Sequence, residues 1–133
     1  MTFGYRVMAL LSAVLVLVSL VLPSPAYAFN KDHLAQLLDT NICQSCDLRA
    51  VDLRGANLSH ADLSEADLSE ANLMAVNLTG ANLERAVIDN AIMYAVNLTD
   101  ANLRWVRING ADFEGARVCN TTIPSGIISN RDC

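Results

Sequence analysis

The sequence predicts an all-β fold, a coil of very short strands stacked in parallel and preceded by a short helix. The first observation behind this is a period. An Ala-(Asp/Asn)-Leu-x-x unit recurs every fifth residue from Cys46 to Thr122 without a slip in register, plainest in Ala61-Asp62-Leu63-Ser64-Glu65, Ala66-Asp67-Leu68-Ser69-Glu70 and Ala71-Asn72-Leu73-Met74-Ala75. The second is the pattern inside the unit. An apolar, polar, apolar triplet is a strand with two side chains on one face and one on the other. The third is the pair of residues after each triplet: Ser64-Glu65, Thr79-Gly80 and Thr99-Asp100 are turn formers, so the chain bends at every repeat. A helix would need apolar residues three and four apart, and strands this short leave no room for the hairpins of an ordinary antiparallel sheet. What remains is a coil whose turns stack ~4.8 Å apart. Its narrow bore is filled by the centre residues from Leu48 to Val118 and by the small residues two places before each.

Residues 1–28 read as a cleaved export signal. Arg6 supplies a positive start, Met8 to Leu22 is an almost unbroken apolar run, and Ala26-Tyr27-Ala28 is a small-x-small cleavage site before Phe29. The apolar run falls short of the ~20 residues a bilayer span needs, and Pro23 and Pro25 come directly after it. No membrane contact is therefore expected after cleavage. The formal net charge of −5, with no basic cluster, gives nucleic acid nothing to bind by counterion release and disfavours anionic lipid.

Residues 29–45 form the expected N-terminal cap. Leu34, Leu37 and Leu38 fall at helical spacing among Asp32, His33, Gln36 and Asp39, and Asn30 is a good N-cap residue. A helix this short is marginal alone, and an array needs its open edge covered. Residues 46–122 are the coil. Residues 123–133 are the expected C-terminal cap, where Ile123 and Ile128 keep the centre register and Pro124 and Gly126 turn the chain across the open end.

The repeats resemble those of the pentapeptide-repeat proteins over essentially all of Cys46 to Thr122. That resemblance implies a right-handed, quadrilateral parallel β-helix. With four sides, each residue lies over the one twenty later, so Asn57, Asn77 and Asn97 would stack as an outward amide ladder and Leu63, Leu83 and Leu103 would stack inside. Roughly four coils give a rod on the order of 20 Å long. The tail, with its Cys-Asn-Thr-Thr opening at Cys119 and its Asp-Cys close at Cys133, is similar to exported cyanobacterial members of the family.

On that register Cys46 and Cys119 lie more than three coils apart, well over ~10 Å, beyond one disulfide or one zinc site. Cys43, Cys46, Cys119 and Cys133 must therefore act as two pairs. Cys119 with Cys133 closes a short loop that holds the C-terminal cap. The Cys43-Gln44-Ser45-Cys46 motif reads either as a structural disulfide or buried thiols at the first coil, or as a thiol-exchange pair. Exchange calls for a thiol at a helix N-terminus in a βαβ unit, whereas this motif comes after a helix and precedes a β-coil. His33 and His60 have no serine or cysteine placed to pair with them, and the carboxylates are spaced by the repeat. No catalytic residue, metal or cofactor is expected.

Val87, Ile92, Arg107, Arg117 and Thr122 replace the outward Asp/Asn in the second half of the array. Met74 and Tyr94 are neighbours in one outward column, Ile92 lies on the same side, and Trp105 occupies a corner with Glu65 and Arg85. Single exposed apolar residues are ordinary, but clustered ones mark interaction surfaces. Met74, Ile92, Tyr94 and Trp105 are thus where a partner is expected. The reading is of a non-enzymatic exported module, monomer or weak dimer, that binds an unidentified protein in the periplasm or, for a cyanobacterial source, the thylakoid lumen. The family resemblance offers a DNA-mimicking inhibitor or protector of a topoisomerase as an alternative, favoured by the acidic surface and opposed by the leader. The second alternative is a thiol–disulfide redox protein using Cys43 and Cys46.

Overall fold

Helix α1 spans Lys31–Thr40 in the computed structural model, which describes residues 29–133; the export signal expected over residues 1–28 lies outside them. Asn30 caps the helix, its side-chain oxygen accepting the N–H groups of Asp32 at 2.9 Å and His33 at 3.3 Å. Asn41 ends it in the left-handed region, φ 60°, with its N–H on the Leu37 carbonyl. Leu37 is buried, while Leu38 is exposed and overhangs an open groove with Leu53 and Ala56. The helical pattern groups Leu38 with the inner face. One helix crosses only part of the end of the coil, so the stripe it buries is narrower than the pattern suggests.

Beyond the helix, parallel bridges join residues twenty apart on every side of the coil, from Ile42 with Asp62, Asp47 with Asp67, Asp52 with Asn72 and Asn57 with Asn77 up to Asn102 with Thr122. Each side is tied in both directions. Leu48 donates to the Asp67 carbonyl of the next coil at 2.8 Å, and Asp67 donates back to the Cys46 carbonyl at 2.8 Å. Corners close by a bond across the turn, as from Ala66 N–H to Leu63 C=O at 3.1 Å. The second corner residue is left-handed throughout, including Ala75 at φ 56°, Ala95 at 55° and Trp105 at 59°.

The Asp/Asn preference has a local cause. Its side-chain oxygen accepts the N–H two residues on, for example Asn77 from Thr79 at 3.0 Å and Asn97 from Thr99 at 3.1 Å, which holds the chain in the turn. The inward residues Leu63, Leu68, Leu73, Leu78, Leu83, Ile88, Met93 and Leu98 are buried and alternate with buried alanines and valines. Asn57, Asn77 and Asn97 stack as expected, bridged one to the next along the column, and the Asn77 amide donates to Asn57 at 3.3 Å. A second ladder links Asp62, Asn82 and Asn102 at 3.3 and 3.2 Å.

The C-terminal end differs most from expectation. Strands β1 (Thr121–Thr122) and β2 (Ile128–Ser129) form an antiparallel hairpin, and Ile127 and Ile128 point to solvent instead of across the bore. The mouth retains a cavity of about 150 Å³ lined by Leu98, Leu103, Ile108, Phe113, Val118 and Ile123, and Ile108 is 39% exposed where the repeat predicts an inward residue. A centre residue is buried only when a further coil lies over it. The tail supplies that cover on one side: Asp132 takes the Val118 N–H at 2.8 Å and returns its own N–H at 2.9 Å, while Arg131 donates to the Ala116 carbonyl at 2.6 Å.

The corners yield a direct test. Ala75→Gly removes a Cβ from a left-handed residue and is expected to stabilise the fold by about 1 kcal/mol, raising Tm by roughly 4–8 °C. Ala71→Gly, at a buried extended position, should lower Tm. A fall in Tm with Ala75→Gly in thermal unfolding would contradict the corner geometry.

Candidate functional site

The two cysteine pairs are positioned by the ends of the coil. Cys43 and Cys46 are bonded with an S–S distance of 2.02 Å and are 0% and 3% exposed. The sulfur of Cys43 lies 3.1 Å from the His33 carbonyl oxygen, and His33 Nδ1 accepts the Asp47 N–H at 2.9 Å. Helix, disulfide and first coil are thus one packed unit. The motif sits just past the C-terminus of α1, where the helix dipole opposes a thiolate. Cys119 and Cys133 are bonded at 2.06 Å and fasten the tail over the side that Asp132 and Arg131 cover.

Charged groups outside the bore pair along the corners. Arg49 pairs with Asp47 at 2.8 Å and Arg54 with Asp52 at 2.7 Å, and each guanidinium holds its carboxyl below the ordinary value of 3.8. Asp62 is depressed too. Its partial burial opposes ionisation, but hydrogen bonds from the Ser64 hydroxyl and N–H, Gln44 and Asn82 outweigh it. Among the described residues no His, Cys, Asp or Glu cluster could hold a metal ion, and no helix is long and apolar enough to cross a membrane.

The outward apolar residues divide into two places. Tyr94 lies directly over Met74, its carbonyl taking the Ala75 N–H at 2.9 Å, and Ile92 sits on the same side, bridging Asn72 and Asp112. These three are 39%, 39% and 44% exposed in the order Met74, Ile92, Tyr94. Trp105 is two sides further along the coil, at the diagonally opposite corner. There its ring is flanked by Arg85 at 4.8 Å and Arg104 at 4.1 Å from its centroid, and Arg85 reaches Glu65 at 4.0 Å. Sequence reading placed Arg85 at this corner through the twenty-residue register but passed over Arg104, whose only signal was a bulky cation in the position that Ser64 fills in an earlier coil.

Residues 42–80 and 77–115 match the family model for pentapeptide repeats. The chain belongs to the pentapeptide-repeat family. Among solved structures, this pentapeptide-repeat chain is similar to HetL, a pentapeptide repeat protein involved in heterocyst differentiation regulation from the cyanobacterium Nostoc sp. strain PCC 7120. The identity is 32%, the TM-score 0.65, and the match covers 66% of this chain and 40% of HetL. The chain thus spans well under half of HetL's length. It is also similar to a second pentapeptide repeat protein from Nostoc PCC 7120, at 27% identity and a TM-score of 0.62, covering 74% of this chain and 87% of that one. Both likenesses imply the right-handed quadrilateral β-helix. A search of curated proteins finds no match.

The site chemistry supports two measurements. Because the folded-state pKa of Asp62 lies below its unfolded value of 3.8, the associated stability is present above that value and is lost as pH falls through the folded one. Tm should therefore drop on acidification below about pH 4, and Asp62→Asn should flatten that drop while keeping an acceptor for Ser64 and Asn82. Replacing Cys119 and Cys133 together by serine should reduce unfolding free energy in urea by about 3 kcal/mol.

Proposed function

We propose that this pentapeptide-repeat chain is a non-enzymatic, exported binding module that engages a protein partner through the side carrying Met74, Ile92 and Tyr94. The observation that carries this reading is the outward apolar trio. In the regular array the inward positions fill the bore and the outward Asp/Asn positions hold the turns, so an exposed Ile at position 92 serves neither purpose. A stiff coil presents such residues with little ordering cost on binding. Export is supported by the leader-like sequence of residues 1–28 and by two disulfides, which persist in oxidising compartments, here the periplasm or, for a cyanobacterial source, the thylakoid lumen.

The topoisomerase-directed alternative draws on the net charge of −5 and requires a cytosolic chain. The thiol-exchange alternative requires an accessible Cys43–Cys46 bond, and burial of both sulfurs weighs against it.

Cell fractionation, then crosslinking and mass spectrometry, tests the reading. The mature chain should appear in the exported fraction, and its crosslinked partners should be lost on combining Met74→Ser, Ile92→Asn and Tyr94→Ser. Asn is the repeat's own residue at the position of Ile92, so folding is not at issue there. Unchanged partners would refute the contact surface, and a cytosolic chain retaining residues 1–28 would refute export.

A further inference from the structure

We propose that the corner formed by Arg85, Arg104 and Trp105 docks an acidic segment of a protein partner, whose carboxylates bind the free edges of the two guanidinium groups. This rests on reading the coil as a protein-binding module, but it concerns a different surface from the Met74 side.

Trp105 is the single tryptophan of the chain, is half-exposed, and is flanked by two cations. An arginine lying over an aromatic ring uses the face of its guanidinium. Its N–H donors lie in the plane of the group and remain free, and these are the donors that grip a carboxylate in bidentate fashion. Arg104 is the better placed of the two. Among the described residues its side chain donates no hydrogen bond and has no carboxylate within 4.0 Å, whereas Arg49, Arg54, Arg107 and Arg131 are each paired within 2.8 Å. Arg85 has only distant partners, Glu84 at 3.8 Å and Glu65 at 4.0 Å, with which an incoming carboxylate competes.

The corner is also held in place before anything binds. The backbone N–H of Trp105 bonds the Pro124 carbonyl at 3.0 Å, and the backbone N–H of Arg104 bonds the Asn102 side-chain oxygen at 3.0 Å. Arg104 Nε lies 3.6 Å from where a Cβ on Gly126 would stand, so the terminal hairpin backs it. The backbone that carries both side chains is thus already ordered, and no loop has to be fixed on binding. Charge complementarity selects the occupant: the chain carries −5 overall, yet at this corner Arg104 has no carboxylate partner and Arg85 only the distant Glu84 and Glu65, both cations lying against an aromatic ring, and Trp and Arg are the residue types that dominate binding energetics. Repulsion from acidic groups elsewhere on the surface is screened beyond about 8 Å at physiological salt.

Trp105 provides the readout. The purified chain is titrated with an oligoglutamate peptide, an oligolysine peptide and inorganic phosphate while its tryptophan emission is monitored. Oligoglutamate should give a saturable change that weakens as salt is raised and that oligolysine does not produce. Arg104→Ser, which installs the residue found at the same place two coils earlier, should weaken binding by on the order of tenfold or more, whereas Arg49→Ser should leave it unchanged. Absence of a saturable response, an undiminished response in Arg104→Ser, or an equal response to phosphate would overturn the proposal. Because the titration needs no cellular partner, it can succeed where the crosslinking experiment on the Met74 side fails, and the reverse, so the two readings stand or fall separately.

Discussion

A side-chain oxygen that accepts the N–H two residues further on is the interaction on which the rest of this structure depends. At Asn77 and Asn97 it holds the turn to Thr79 and Thr99. The turn in turn places the next residue in the left-handed region and sends the strand along the next side. Corners that lack the bond, after Val87, Ile92 and Arg107, keep the same left-handed backbone within the stack, so residues twenty apart come to lie above one another and pair throughout. Only then do the leucines share a bore. Any one such bond is worth little, about 1 kcal/mol net, but its repetition fixes the register on which all the interior packing depends.

A coil of this kind has two unfinished ends, and the chain completes them by substitution. At the start, His33 Nδ1 takes the Asp47 N–H that a preceding coil would otherwise receive. At the finish, the Asp132 carboxylate does the same for Val118, and Arg131 serves the Ala116 carbonyl. A disulfide stands beside each substitution. The cysteines therefore sit where cooperativity along the array is weakest, because terminal repeats have a neighbour on one side only.

The regular part of the array is occupied with being a rod, and its chemistry is spent on turns and core. What distinguishes this chain is where outward positions depart from the pattern, at Met74, Ile92 and Tyr94 on one side and at Arg85, Arg104 and Trp105 across from it. Such departures cost the fold little. A surface column tolerates exchange so long as the backbone ladder beneath it is intact, which is how a repeat scaffold can carry a particular surface.

The sequence by itself determined the period, the residues of the bore from Leu48 to Leu103, and the column in which any outward residue stands, because a strict five-residue repeat leaves only one way to bury its leucines and turn its polar pairs. It did not show that Leu38, Ile108 and Phe113 escape full burial, since burial at an end depends on what covers it and no local pattern records that. Nor did it show that Arg104 lies over Trp105, or that the backbone N–H of Trp105 reaches the Pro124 carbonyl. Those contacts depend on side-chain directions at corners and on the terminal hairpin that backs Arg104, and both are set only when separate turns of the coil are stacked.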